Sequence, residues 1–117
     1  MKRLPQIRFS DALATLRGVG GVYLIYDRDE ILLYVGMSEN IGKRLLAHCG
    51  HGDGLWAYIL KARGAVACAF QNRKEWLAVQ QEIIGTYTVS VYPVAMGRAG
   101  FVEVFLHAVL KPQYGWV

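Results

Sequence analysis

Cysteine is scarce in this 117-residue chain, with only Cys49 and Cys68. Two thiols build no disulfide framework, and they read as reduced thiols of a cytoplasmic protein. There are only three prolines, and no interdomain linker, internal repeat or low-complexity tract interrupts the chain. Each longer apolar run is broken by charge or glycine before it could span a bilayer, so no membrane partner is expected. The start, Met1-Lys2-Arg3-Leu4-Pro5-Gln6, is basic but has no apolar stretch behind it, which argues against a secretory signal. Charged residues make up 19% and the basic ones are dispersed, with no polybasic tail.

What the chain has in quantity is apolar surface. Hydrophobic residues reach 54%, which places it among globular chains, and its length suits one domain over 1–117. The net charge of +4 mildly favours an anionic partner such as nucleic acid. The pattern predicts an α+β fold, a small, mainly antiparallel sheet opened by a hairpin and flanked by helices. Residues 1–17 read as a lead-in with a short helix at 11–17 capped by Ser10. Strands are expected at 21–27 and 31–36. A helix follows, capped by Ser38-Glu39-Asn40 and running to His48 or Cys49. Over 55–70 the apolar run fits either a helix or a strand. Helical spacing returns at 73–84, with Trp76, Leu77, Ile83 and Ile84. Residues 87–95 read as a strand, in which Pro93 implies an edge or a bulge. In the last helix, Val102, Phe105, Leu106, Val109 and Leu110 form one expected buried stripe, ended by Pro112.

Two tripeptides stand out: Gly21-Val22-Tyr23 and Tyr34-Val35-Gly36. A two- or four-residue turn at Arg28-Asp29 sets Tyr23 directly opposite Tyr34, with Cβ atoms roughly 4.5–5.5 Å apart. An odd turn would separate them. The glycines would leave room for a ligand to approach the backbone. Tyrosine is also simply a good strand former, and alone the pair means little. On the next helix Arg44 and His48 are one turn apart, beside the core stripe of Ile41 and Leu45. An arginine in that position suits a phosphate. Glu103 borders the last helix's stripe with His107 one turn on, and a single carboxylate is a common anchor for Mg²⁺.

Taken together, these residues resemble the GIY-YIG nucleases. That family includes homing endonucleases, some restriction enzymes and the N-terminal nuclease domain of the bacterial nucleotide-excision-repair endonuclease. The resemblance covers residues 18–115: the paired tripeptides, Arg44 in the place of the family's arginine, His48 four residues on, and Glu103 nine residues before Pro112 in Lys111-Pro112-Gln113-Tyr114. Three departures stand against it. Met37 replaces a frequent lysine, Gly115 replaces an asparagine, and 50–86 is a longer variable segment.

The resemblance implies a cytoplasmic endonuclease, with a role such as DNA repair, that hydrolyses DNA with one Mg²⁺ or Mn²⁺ ion. Glu103 would hold the metal, Arg44 would stabilise charge on the phosphate, and His48 would relay protons or bind phosphate. Tyr23 is the first choice of general base, with Tyr34 orienting water or phosphate, although the two roles could be exchanged. Gly36, Ser38 and Lys43 are expected on the substrate side. Specificity would come from a partner protein, a homo-oligomer or DNA structure. Met37 and Gly115 keep open a weakened domain that binds DNA or protein without cutting. A zinc site from His48, Cys49, His51 and Cys68 is a poor alternative, because adjacent helical ligands point apart.

Overall fold

A computed structural model describes residues 5–49, 55, 59 and 73–113. Its sheet has four strands, all antiparallel: β1 (Ile7–Arg8), β2 (Gly21–Tyr26), β3 (Leu32–Ser38) and β4 (Thr88–Tyr92), in the order β1-β4-β2-β3. Four helices are described from end to end: α1 (Phe9–Thr15), α2 (Ile41–His48), α3 (Arg73–Thr86) and α4 (Met96–Leu110). Strand alternation divides the core in two. Tyr23, Ile25, Val89 and Val91 pack with Phe9, Ile41, Leu45, Val79 and Ile83 from α1, α2 and α3. Val22, Leu24 and Val35 pack on the other face with Leu106 of α4.

Several expectations need correction. The lead-in contains a strand, since Ile7 pairs with Val89 and Arg8 with Thr88. Two residues carry too little pattern to be read as a strand. Helix α1 begins at Phe9, and Ser10 lies inside it rather than capping it. β4 is an inner strand that ends at Tyr92, so Pro93 marks its end rather than an edge or a bulge. In α3 the buried positions include Val79 and Ile83, whereas Leu77 is exposed. The stripe of α4 is rotated: Leu106 and His107 are buried, while Phe105 and Val109 face outward. This helix is apolar on nearly every side, so periodicity could not choose its inner face. Within 50–72 only Leu55 and Ile59 are described, both helical and buried, and the strand expected at 65–70 lies outside the described residues. Gly115 lies outside them too.

The hairpin register is set by its turn and a bulge. Asp27 and Ile31 close a three-residue loop through Asp27 N–H to the Ile31 carbonyl at 3.0 Å. The Asp27 side chain accepts from the amides of Asp29 and Ile31 at 2.8 and 3.0 Å. Glu30 takes the left-handed conformation (φ 62°) that such loops place before the returning strand. An odd loop alone would send Tyr23 and Tyr34 to opposite faces. A bulge between Ile25 and Tyr26 makes up the difference: Tyr26 pairs with Leu32 and Ile25 with Tyr34, leaving Leu33 as the extra residue. The neighbours Leu33 and Tyr34 therefore turn to the same face, and both join the α1–α2–α3 core.

Ser90 on β4 is buried with no partner for its hydroxyl among the described residues. A buried unsatisfied hydroxyl costs about 1–3 kcal/mol of lost hydration. Ser90→Ala should therefore leave stability unchanged or raise it by about 1 kcal/mol, read as an upward shift of the urea midpoint at constant m. A clear loss would show that this hydroxyl has a partner.

Candidate active site

Tyr23 is not opposite Tyr34. It pairs with Gly36, and Tyr34 pairs with Ile25, so the tyrosines are diagonal neighbours on one face. Their rings stack at 6.0 Å between centroids with 27° between planes. The glycines explain how they fit. A Cβ on Gly36 would lie 2.6 Å from the Tyr23 hydroxyl and 2.7 Å from Cε1 of Tyr34. At Gly21 (φ 148°) a Cβ would meet the Tyr92 carbonyl oxygen at 2.3 Å. The space expected for a ligand is thus filled by the protein: phenols lie over Gly36, and the β4 backbone approaches Gly21.

His48 completes the cluster from α2. It is buried, not on the surface, and its ring meets Tyr34 edge-on at 4.5 Å and Tyr23 at 5.7 Å. Asn40 fixes this helix by accepting from the amides of Lys43 and Gly18 at 3.2 and 3.0 Å. Ser38 supports the same turn, its Oγ accepting from the Asn40 amide at 3.0 Å. Burial, helped by the charge of Arg44, lowers the His48 pKa to about 3, so the ring is neutral at pH 7. Its Nδ1 accepts from the Leu55 amide at 3.1 Å. The single ring proton must then sit on Nε2, which lies 2.6 Å from the Tyr23 oxygen. His48 is a hydrogen-bond donor to Tyr23.

This tautomer bears on two expectations. A proton relay from Tyr23 into His48 would need a free lone pair on Nε2, and none is there. A zinc ligand would need the Nδ1 lone pair, which Leu55 occupies. Cys49 is a buried free thiol whose Sγ donates to the Leu46 carbonyl at 3.3 Å, whereas His51 and Cys68 lie outside the described residues. Among the described residues no three His, Cys, Asp or Glu side chains form a metal cluster.

Arg44 is exposed, yet it acts on Tyr23 both as a hydrogen-bond donor and as a positive charge, and it interacts similarly with Tyr34. The interaction with Tyr23 raises its own pKa most, against an opposing cost of burial, and Tyr34 adds to the rise. For Tyr23 the balance goes the other way. Desolvation raises the phenol's pKa most, Tyr34 adds to it, and Arg44 offsets only part. Arg44 alone does not activate this phenol.

Glu103 approaches from the opposite face of the sheet, on α4. The buried His107, one turn on, donates Nε2–H to the Val35 carbonyl at 2.9 Å and docks the helix against β3. Sequence reasoning noted His107 but gave it no role; its four-residue spacing from Glu103 was the available signal. The Glu103 carboxylate contributes to the raised pKa of Tyr23, so both groups share one field at the β3 edge. Burial raises the pKa of Glu103 itself, partly offset by His107. The fold thus clusters Tyr23, Tyr34 and His48, sets Arg44 beside the phenols, and places Glu103 on α4 within electrostatic reach of Tyr23. Gly36 lies buried beneath the phenols, Ser38 shapes the turn, and Lys43 is exposed on α2.

A model of the GIY-YIG catalytic domain matches residues 19–86, more than half of the chain. The chain belongs to the GIY-YIG family. It is 35% identical over 75 residues to UvrABC system protein C of Pseudomonas syringae pv. tomato, a match covering 62% of this chain and 12% of that protein. The same protein of Pseudomonas savastanoi pv. phaseolicola is 33% identical with the same coverage. The chain therefore corresponds to a small part of the length of these relatives. Among solved structures it resembles the GIY-YIG N-terminal endonuclease domain of UvrC from Thermotoga maritima, determined with its catalytic magnesium. The TM-score is 0.56 with 13% identity, covering 92% of this chain and 96% of that one. At that identity the likeness establishes a shared GIY-YIG fold.

Two outcomes test the geometry. Gly36→Ala should displace the Tyr23 ring and cost about 1–3 kcal/mol, as overpacking does; an unchanged melting temperature would refute the close approach. The second test follows from His48. Its native pKa is depressed to about 3 from 6.5. Between these values the unfolded chain binds the extra proton, so stability falls as pH drops through this window. The slope is at most about 1.4 kcal/mol per pH unit. Denaturant midpoints between pH 7 and 5 should fall more for the wild type than for His48→Gln, and equal slopes would contradict a buried neutral ring.

Proposed function

We propose that this chain is a divalent-metal-dependent endonuclease that hydrolyses DNA phosphodiester bonds. The observation that carries this reading is two stacked phenols with an arginine acting on both and a carboxylate on α4 within electrostatic reach of Tyr23. The residues suit a metal. Burial leaves Glu103 with its negative charge only partly compensated, and one carboxylate with water and substrate phosphate is the usual Mg²⁺ environment. Glu103 would hold Mg²⁺ or Mn²⁺. Bound there, the ion would supply Lewis-acid stabilisation of the charge that develops on the phosphate.

The chain's own groups do the rest. Arg44 keeps its charge at every working pH and directs donors toward a phosphate, stabilising the negative charge that develops there. The Tyr23 oxygen is held by donors, His48 Nε2–H and Arg44. That arrangement favours the phenolate and so a role as general base toward the attacking water. Its own proton must leave to solvent, because His48 cannot take it. Tyr34, stacked on Tyr23, orients water or phosphate. The UvrC likeness supports DNA as the substrate and repair as the setting. The buried free thiol of Cys49 suits a reducing compartment such as the cytoplasm. No helix among the described residues is long and apolar enough to cross a membrane.

The test is cleavage of supercoiled, linear and branched DNA with Mg²⁺ or Mn²⁺. Glu103→Gln and Arg44→Ala should each lower the rate by about 100-fold or more, as loss of a charge-stabilising group does. Because burial places the Tyr23 pKa above its ordinary value, the rate should rise with pH by up to about tenfold per unit, with no inflection near 6.5 from His48. Full activity in Glu103→Gln would end the assignment. DNA binding that persists in chelator, without cleavage in either metal, would identify a non-cutting binding domain instead.

A further inference from the structure

Helix α4 has a second face. Turned away from the sheet are Phe101, 85% exposed, with Val104 at 56%, Phe105 at 61% and Val109 at 58%. Exposed Gly97 and Ala108 complete the strip, as helical spacing dictates. Single exposed apolar residues are ordinary, but four large ones on one stripe of one helix are not.

We infer that this face docks a second copy of the chain in a two-fold dimer. The stripe is self-complementary. An axis between Val104 and Phe105, with the helices antiparallel, sets Phe101 over the partner's Ala108 and Phe105 against the partner's Val104, large side chains onto small. The middle of the strip is uncharged. Arg98 and Lys111 lie at its ends, so no row of charges along it selects an acidic or basic polymer. A crossing angle near the common value of about 50° keeps Arg98 clear of the partner's Lys111. Area supports the same occupant. The six residues expose on the order of 500 Å² per copy, so pairing would bury at most about 1,000 Å², the lower end of specific interfaces. The dimer should therefore be weak, with micromolar dissociation. Glu103 faces the sheet from the other side of α4, so docking leaves it in place and fixes two active sites relative to one another.

Sedimentation velocity on the full chain from about 1 to 200 µM tests this, since the range spans the expected affinity. The wild type should pass from monomer to dimer, and Phe101→Asp/Phe105→Asp should weaken association at least about tenfold with an unchanged circular dichroism spectrum. Should that variant not fold, Val104→Cys gives a second reading, because two such residues flank the axis and should form an intermolecular disulfide under mild oxidant. A wild type monomeric throughout, a dimer indifferent to the double variant, or no cross-link at Val104→Cys would each overturn the proposal. So would a monomer that binds phosphatidylcholine vesicles through this face. None of these readouts depends on DNA cleavage, so dimerisation and nuclease activity can fail separately.

Discussion

The Tyr23 ring lies directly over Gly36, and much of the candidate site follows from that contact. A side chain at Gly36 would collide with the Tyr23 hydroxyl itself. Without one, the phenol crosses from the inner strand β2 over the edge strand β3, and its oxygen reaches the place where groups from both faces of the sheet converge. His48 and Arg44 come from α2 on one side, and the field of Glu103 comes from α4 on the other. Gly21 plays the complementary part, letting the β4 backbone close on β2.

Placing Tyr23 so deep sets up an electrostatic opposition. Desolvation favours the neutral phenol, and the donors His48 and Arg44 favour the phenolate. Burial prevails in the protein alone. Glu103 is also partly buried and adds negative charge to the same field. Negative charge on either group raises the cost of ionising the other, and the divalent ion proposed at Glu103 would lower that cost. The same burial that holds Tyr23 neutral would therefore make its ionisation sensitive to a bound cation. His48 stays neutral chiefly because burial strips water from its charged form, and the positive charge of Arg44 repels a second one beside it.

Helix α4 links this chemistry to the surface. Its inner side carries Leu106 into the core and His107 onto the Val35 carbonyl, and Glu103 acts electrostatically on Tyr23. Its outer side carries aromatic residues into solvent. Such a helix has no single polar face. Its orientation comes from one buried hydrogen bond and the packing of Leu106 and Val102 rather than from amphipathic periodicity, which is why Phe105 and Val109 were expected inside.

The sequence by itself determined the family, the antiparallel sheet flanked by helices, the Asn40-capped helix α2 and the identity of the residues that meet. Paired tripeptides, Arg44 and His48 one turn apart, and the spacing from Glu103 to Pro112 are local patterns, and local backbone preferences express them directly. Tertiary structure decided the rest. The three-residue loop and the Leu33 bulge set the hairpin register, because loop length and bulge trade against each other and either parity was open in the chain alone. The His48 tautomer depended on an amide seven residues away that only folding brings to Nδ1. The two-residue strand β1 exists only because β4 offers it hydrogen bonds. In each case the deciding energy is a specific backbone or side-chain contact that forms only in the folded chain, from a three-residue loop to the pairing of Ile7 with Val89, and no hydrophobic period records it.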